Sequence, residues 1–392
     1  MVYDYLEGGS EDQVTLKANR EVFETIRFAP RTLVDVSQRS QKVTLFGTSY
    51  DAPFGIAPIG AAGLFWHEGD IALARAARSA NIPFVLSTHS FVPLARLARE
   101  AGGPSWYQLY MPRERDAAKR LVQRALDAGC EALVLTTDVP LGGNREYNDR
   151  NGFGIPLRLP LRAVMDGLLH PRWLLGVFAR AWLSPDKPMQ QPEWATRRDQ
   201  TSWQDLAWLR EAWPRKLLVK GVLCVEDAQL AADHGVDGIV ISNHGGRQLD
   251  GLPSPLEVLP QIAAAVGERV SVLVDGGFLR GSDIVKALAL GADMVLIGRA
   301  AVYGAAAGGE AGVRRALQLL KSEIDRVLAL LGCNSIGELG PQCLGLESPL
   351  APHRSGFHVA LHSGPSRPAG DGARAGLPGK ASQLLAGLPG RR

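Results

Sequence analysis

The stretch Ile239-Val240-Ile241-Ser242-Asn243-His244-Gly245-Gly246-Arg247-Gln248-Leu249-Asp250-Gly251 passes from apolar β-formers to a polar, glycine-bearing loop within a few residues. A short continuous apolar run of this kind reads as a strand buried on both faces, as in a parallel sheet. The same design recurs outward in both directions: Phe54 to Ile59, Phe84 to Ser87, Trp106 to Tyr110, Ala132 to Thr137, Leu217 to Lys220, Val270 to Val274 and Met294 to Ile297. With Gly238 to Ser242 these make eight predicted strands. Between them, segments such as Ile71 to Ala77 and Ile284 to Leu290 place apolar residues three and four apart, as helices covering a sheet do. Strand and helix alternating eight times is the pattern of a TIM (β/α)8 barrel, usually about 250 residues long. A doubly wound open sheet is the alternative. The polar residues, however, cluster immediately after the apolar runs, where such a barrel places its chemistry.

The loop that follows Ile241 carries the chemistry. An imidazole titrates near pH 6.5 and serves as a base at neutral pH, and a planar guanidinium holds a carboxylate with two parallel hydrogen bonds. His244 and Arg247 stand three residues apart, with Gly245 and Gly246 between them to let the backbone approach a ligand. A lone His-Gly-Gly is weak, since ordinary turns contain it. A second feature lies near the end of the barrel. Asp275-Gly276-Gly277 closes the seventh strand, Gly281-Ser282-Asp283 opens the following helix, and Gly298-Arg299 closes the eighth. Glycine amides, a helix N-terminus and an arginine together suit a phosphate, which barrels of this type commonly hold there. Lys220, at the end of its strand, is placed either to stabilise negative charge on a bound group or to snorkel to solvent.

Composition sets the bounds. With 392 residues, 46% hydrophobic and 21% charged, the chain can bury one large core. A formal charge of +3 is too small to argue for nucleic-acid binding. Cys130, Cys224, Cys333 and Cys343 lack metal-ligand spacing and read as buried thiols in a reducing compartment, and no metal is expected. No basic, apolar leader opens the sequence, and no run of 18 uncharged apolar residues suggests a spanning helix. Two parts do not fit the barrel. Residues 139–203 form a long insertion after the fourth strand, and residues 346–392, rich in Gly, Pro, Ala and Arg, are expected to be a disordered tail beyond a 1–345 domain.

Several motifs stand in one order: Tyr3-Asp4-Tyr5 before Gly9-Ser10-Glu11-Asp12, then Ala57-Pro58-Ile59-Gly60, His67-Glu68-Gly69-Asp70, Gln108-Leu109-Tyr110, Thr136-Thr137-Asp138, Leu218-Val219-Lys220-Gly221, the His244 run, Asp275-Gly276-Gly277 and Ile297-Gly298-Arg299. In this order they resemble the FMN-dependent 2-hydroxy acid dehydrogenases and oxidases over roughly residues 1–345. The resemblance implies FMN as cofactor. Ala57, Gly60, Ser87, Gln108 and Thr136 would hold its ring, with Lys220 and Ser242 beside it, and Asp275, Gly276, Gly277, Gly298 and Arg299 would lie toward its phosphate. His244 would be the base, hydrogen-bonded by Asp138, and Arg247, Arg145 and Tyr110 would clamp the substrate carboxylate, with Tyr5 assisting.

One departure is visible. Members similar to glycolate oxidase carry arginine where this chain has Leu279, and neighbouring Arg280 is expected to point elsewhere. Gly60, Gly63-Leu64-Phe65-Trp66, Leu169-His170-Pro171-Arg172-Trp173 and the run from Trp208 to Pro214 are similar to the branch of the family that acts on mandelate, while His89 stands at a wall position that is aromatic or small in relatives. That branch implies oxidation of a mandelate-like or lactate-like L-2-hydroxy acid, a quinone or other electron acceptor, a homotetramer, and a peripheral or monotopic place on the cytoplasmic side of a membrane. A soluble cytoplasmic enzyme is the alternative to that last point. In the insertion, between Leu157 and Trp194, the residues Leu168, Leu169, Trp173, Leu174, Leu175, Val177, Phe178, Trp182 and Leu183 interleave with Arg158, Arg162, Arg172, Arg180 and Lys187, a mixture that suits an amphipathic helix packed on the barrel or in an oligomer contact, or a lipid interface, which the resemblance favours. The competing functions are an oxidase that produces hydrogen peroxide, a non-redox FMN barrel, and a binding protein without activity.

Overall fold

The computed structural model describes residues 2–102, 106–153, 161–183 and 199–345. The expectation of a disordered tail concerns residues outside these. Two helices open the chain, α1 (Val2–Glu7) and α2 (Val14–Thr25), followed by a hairpin of β1 (Val43–Leu45) and β2 (Thr48–Tyr50). Eight parallel strands come next, with helices between them: β3 (Phe54–Ile56), α3 (Gly69–Ser79), β4 (Val85–Ser87), α4 (Leu94–Ala101), β5 (Trp106–Leu109), α5 (Arg115–Asp127), β6 (Ala132–Thr136), then α6 (Glu146–Arg150), α7 (Leu161–Leu169), α8 (Pro171–Trp173) and α9 (Arg180–Leu183) of the insertion. The series ends with α10 (Trp203–Ala212), β7 (Lys216–Val222), α11 (Val225–Asp233), β8 (Gly238–Ile241), α12 (Pro255–Val266), β9 (Ser271–Asp275), α13 (Gly281–Ala289), β10 (Met294–Ile297) and α14 (Arg299–Leu331). Sheet order is β3-β10-β9-β8-β7-β6-β5-β4, and a parallel bridge between Ile56 and Phe84 joins the two ends. This is the TIM barrel.

Side chains alternate across each strand, so a barrel strand sends every second residue inward. Ala132, Val134, Leu218, Val240, Leu273, Met294 and Leu296 fill the interior together with Val85 and Trp106. Their neighbours Leu133, Leu135, Leu217, Val219, Ile239, Ile241, Val272 and Val274 face the helices in a separate and larger core. Leu45 and Tyr50 of the hairpin join the interior cluster and so plug the barrel at its lower end. Sequence reading missed this hairpin. Its two-residue turn, Phe46-Gly47, has φ of 53° and 83°, the doubly left-handed geometry that tight hairpins need, but phenylalanine is an unusual residue there and gives no turn signal. Its ring is held instead by Trp106, with centroids 5.8 Å apart.

Three expectations need adjustment. The first strand ends at Ile56 rather than Ile59, since Pro58 has no amide to continue the ladder. Of the four cysteines only Cys130, Cys333 and Cys343 are buried; Cys224 is exposed, because it stands just ahead of α11 where the chain emerges from β7. The insertion is also divided. Val177 is buried and the Trp173 indole donates to the Leu64 carbonyl at 2.9 Å, whereas Leu168, Leu169, Leu175 and Leu183 are exposed. Leu157, Arg158, Lys187 and Trp194 lie outside the described residues, as do the side chains of Arg162, Arg172 and Trp182.

Candidate active site

The inward alternation that builds the interior continues one step further at the carboxyl ends of the strands. After the apolar layers the next inward positions are Ala57, Ser87, Gln108, Thr136, Lys220, Ser242, Asp275 and Gly298, one from each strand or the residue directly after it. These are also the residues that the motifs single out. They lie at the base of a cavity of about 980 Å³, and Ala57, Thr136, Lys220, Asp275 and Gly298 face it directly. Ala57, Gly60, Tyr110, Thr136, Lys220, Asp275, Gly276, Gly277, Gly298 and Arg299 wall it, as do Tyr5, Arg145, His244 and Arg247. Ser87, Gln108, Ser242 and Asp138 do not wall it; they stand behind that surface and hold it.

Four titratable groups, Lys220, Asp275, Asp138 and His244, are held together at this end, the first two buried and the other two half-buried. The Lys220 ammonium is 3% exposed, donates to the Ser242 hydroxyl at 2.7 Å and lies 3.2 Å from the Asp275 carboxylate, so it does not snorkel. Burial alone would lower its pKa, but Asp275, Asp138 and Tyr110 together hold it above the ordinary lysine value. Asp138 carries the imidazole of His244: Nδ1 is 3.0 Å from Oδ1 and 3.2 Å from Oδ2. Burial pushes the Asp138 carboxyl upward, and His244 and Lys220 outweigh it, leaving the group ionised. For His244 burial wins over the pull of Asp138, and its pKa falls below the usual histidine value. The imidazole is therefore neutral at pH 7, its Nδ1–H is given to Asp138, and Nε2 is left with a lone pair.

Backbone geometry sets these groups. His244 has φ of 59°, a conformation rare outside glycine, and its amide donates to the Ser242 hydroxyl at 3.0 Å. Gly221, at φ 106°, is required beside Asp138, because an added Cβ would stand 2.7 Å from that residue's own Cβ. Gln248 is a residue that sequence reading passed over although it lies in the quoted run. Its amide nitrogen donates to the carbonyls of Asp138 and Leu141, and its oxygen accepts from Gly143 N and from Arg145. One buried side chain thus fastens the loop after β6 to the loop after β8.

Arg145 and Arg247 meet above His244. Arg145 also donates to the Arg247 carbonyl at 3.0 Å, and Arg247 donates to the Gly8 carbonyl at 2.7 Å and lies 4.9 Å from the centre of the Tyr5 ring. Burial, and then the neighbouring Arg145, hold the Arg247 guanidinium below the ordinary arginine value. Two half-buried cations without an acidic partner among the described residues make a receptor for an anion. Around them Phe65, Phe153, Ile59, Val139 and Leu141 complete the wall, and Tyr5 stacks on Phe153 with centroids 4.4 Å apart. Phe153 comes from the insertion and carried no motif by which sequence could have found it. His89 packs at 4.7 Å against Tyr110.

The far end of the cavity differs from the sequence expectation in one respect. The N-terminus of α13 is already filled: Asp283 accepts from the amides of Leu279 and Arg280, and Glu323 accepts from that of Gly281. Two of the protein's own carboxylates thus sit at its positive end. What remains for an anion is Gly276, Gly277, Gly298 and Arg299, with Gly298 opening α14 and nothing within 4 Å of where a Cβ would be. Arg280 does point elsewhere, paired with Glu323 at 2.8 Å, and Leu279 faces the cavity in its place.

Several buried polar atoms have no partner here. The Gln108 amide nitrogen, the Thr136 hydroxyl and the Asp275 Oδ1 are all unpaired, although the Gln108 oxygen accepts from Ser87 and from Thr88 N. Clustered at the base of one cavity, such atoms suit a ligand that completes them. Donors over the floor, a buried ammonium at one edge and an anion receptor at the far end fit a flat heterocycle that ends in a phosphate, and the protein is thereby one of the flavin-binding barrels. It belongs to the FMN-dependent dehydrogenase family, whose sequence profile matches residues 1–346. Over 358 residues it is 49% identical to the (S)-mandelate dehydrogenase of Pseudomonas putida, covering 88% of this chain and 90% of that one. A putative L-lactate dehydrogenase of Mycobacterium tuberculosis is 44% identical over 87% of this chain and 84% of its own length. Among solved structures, the monotopic membrane protein (S)-mandelate dehydrogenase superposes with a TM-score of 0.83 at 48% identity, covering 88% of this chain and 94% of that one. FMN is the cofactor of the family.

Proposed function

We propose that the protein oxidises an L-2-hydroxy acid bearing an aromatic or bulky apolar side chain to the 2-keto acid, with His244 as the base. The observation that carries this reading is the meeting, in one cavity, of the Asp138-paired imidazole of His244 with the half-buried guanidiniums of Arg145 and Arg247. Arg247 and Arg145 bind the substrate carboxylate, Tyr110 and Tyr5 close on it, and the C2 hydroxyl is brought to His244 Nε2, which takes one proton while the C2 hydrogen and the electron pair of its bond would leave toward bound FMN. As the proton moves, Asp138 stabilises the imidazolium that forms. Bound FMN supplies the two-electron acceptor. Lys220, fixed by Ser242 and Asp275, provides positive charge at the cavity floor, and the aromatic wall of Phe65 and Phe153 excludes water and favours a ring-bearing substrate. The discriminating experiment is anaerobic mixing of the purified yellow protein with mandelate, lactate and glycolate, followed by the loss of flavin absorbance. Fastest bleaching by mandelate supports the reading, and no bleaching by any of them overturns it.

We infer a membrane surface and a quinone acceptor from the exposed apolar face of the insertion. Val164, Met165, Leu168, Leu169, Leu175 and Leu183 are exposed on α7, α9 and the π-helical segment Leu174–Ala179 between them, with Arg180 also exposed. Among the described residues no helix is long and apolar enough to cross a membrane. In this reading the exposed face rests on the lipid surface at the cytoplasmic side, the enzyme works as a homotetramer, and electrons leave to a quinone. Peroxide formation in air at a rate equal to dye reduction would favour an oxidase instead.

A further inference from the structure

We propose that Arg20, on the N-terminal helix α2, is a cofactor-binding residue that supplies the second positive charge for the FMN phosphate in this chain. The inference deepens the FMN reading and rests on it. α2 packs directly on the loop after β9: an added Cβ at Gly277 would stand 2.1 Å from the Asn19 carbonyl oxygen. Arg20 extends from the next position into the same cavity, beside Gly276, Gly277 and Leu279. One nitrogen, Nη1, is anchored by the Gly277 carbonyl and by Asp283 at 2.7 Å, and the guanidinium carbon lies 5.0 Å from the centre of the Phe23 ring. Its Nε and Nη2 make no hydrogen bond among the described residues. A guanidinium tethered by one corner, with its remaining N–H groups unengaged, is a pre-oriented donor pair.

The charge balance at this end makes the residue necessary. A phosphate monoester carries about −1.5 to −2 charges at pH 7. Arg299 supplies one positive charge and already shares its donors among the carbonyls of Leu6, Gly8 and Gly245. Leu279 supplies none, Arg280 is spent on Glu323, and the amides of Leu279, Arg280 and Gly281 leading into α13 are given to Asp283 and Glu323. Arg20 is the further cation that walls this end.

The test compares FMN with riboflavin, which has the ring but no phosphate, by fluorescence titration of flavin-depleted full-length protein. Arg20→Gln should weaken FMN binding by about 10- to 100-fold, the cost of losing one charge-assisted hydrogen bond, and leave riboflavin within a factor of two or so. Leu279→Arg, which preserves the Arg20–Asp283 pair, should tighten FMN and make the Arg20→Gln loss smaller. If Arg20→Gln weakens both flavins equally and Asp283→Asn reproduces the pattern, Arg20 only braces the loop and the proposal is overturned. Unchanged FMN affinity overturns it as well. A wild-type protein that binds neither flavin would remove the FMN reading itself.

Discussion

The barrel mouth and the insertion break the usual partition of polar and apolar groups in opposite directions. At the mouth, Lys220, Asp275, Asp138 and His244 are charged or titratable groups held inside the protein, and each is tied by at least one short contact to another of them. In the insertion, Leu169 is 78% and Leu183 81% exposed, and neither belongs to a core cluster. Both arrangements cost stability. A locally consistent sequence departs from folding rules where it works, so the two regions point to two jobs, chemistry at the mouth and attachment at the insertion. The contrast can be broken by experiment from either side.

The largest effect should come from the mouth. His244→Ala should retain FMN and lower the rate of anaerobic flavin reduction by about 10²- to 10⁴-fold. Near-normal reduction in this variant would remove the proposed chemistry. Lys220→Met should come next. It leaves Asp275 and Asp138 buried without their cation, and breaking such a pair typically costs about 3–5 kcal/mol. A guanidinium denaturation midpoint indistinguishable from the wild type would show that the lysine is not held as the contacts indicate.

The pH profile tests the pair more finely. Because the His244 pKa lies below the usual value, kcat/KM should rise with pH through a limb below about 6.5 and be flat at neutrality. Asp138 acts to raise the imidazole pKa, so Asp138→Asn should move that limb to lower pH while the plateau falls. A limb moved upward would contradict the assigned roles of the two groups.

How much of the fold and the site is legible in the sequence depends on whether a position obeys a period. Ser87, Gln108, Thr136, Lys220, Ser242 and Asp275 fall on the inward alternation of apolar strands, so polarity at those sites alone marks the floor of a cavity. His244 and Arg247 are legible because two glycines isolate them on one loop. Gln248, Phe153 and Arg20 obey no such rule. Each reaches the site from a loop, the insertion or the N-terminal helix, and its role follows from tertiary contacts that local sequence does not encode. The filled N-terminus of α13 escapes sequence reading for a related reason: Asp283 is legible as a residue that opens a helix, but not as the group that occupies it together with distant Glu323.

The insertion is tested by replacing residues 161–183 with a short polar loop and sedimenting both proteins with vesicles rich in anionic lipid. The intact protein should pellet at low salt and be released as salt rises, since each well-placed cation contributes about 1 kcal/mol that screening removes. The shortened protein should stay in the supernatant and still be reduced by substrate at a rate within a few fold of the intact enzyme, unless Phe153 is displaced. Retention of the intact protein in the supernatant would end the membrane reading without touching the barrel.

The smallest effect is the most informative about the contrast. Leu169→Ser and Leu183→Ser change side chains that the fold leaves in water, so each should alter the stability of the barrel by no more than about 0.5 kcal/mol. Each leucine buried in a lipid interface contributes on the order of 1.5–3 kcal/mol when fully transferred, and less at partial depth. The double variant should therefore lose vesicle binding by at least about tenfold while its denaturation midpoint and its anaerobic reduction rate stay at the wild-type values. A double variant that binds vesicles normally but melts early would mean that this apolar face is covered by protein, with Leu169 and Leu183 packing against another copy of the chain rather than against lipid.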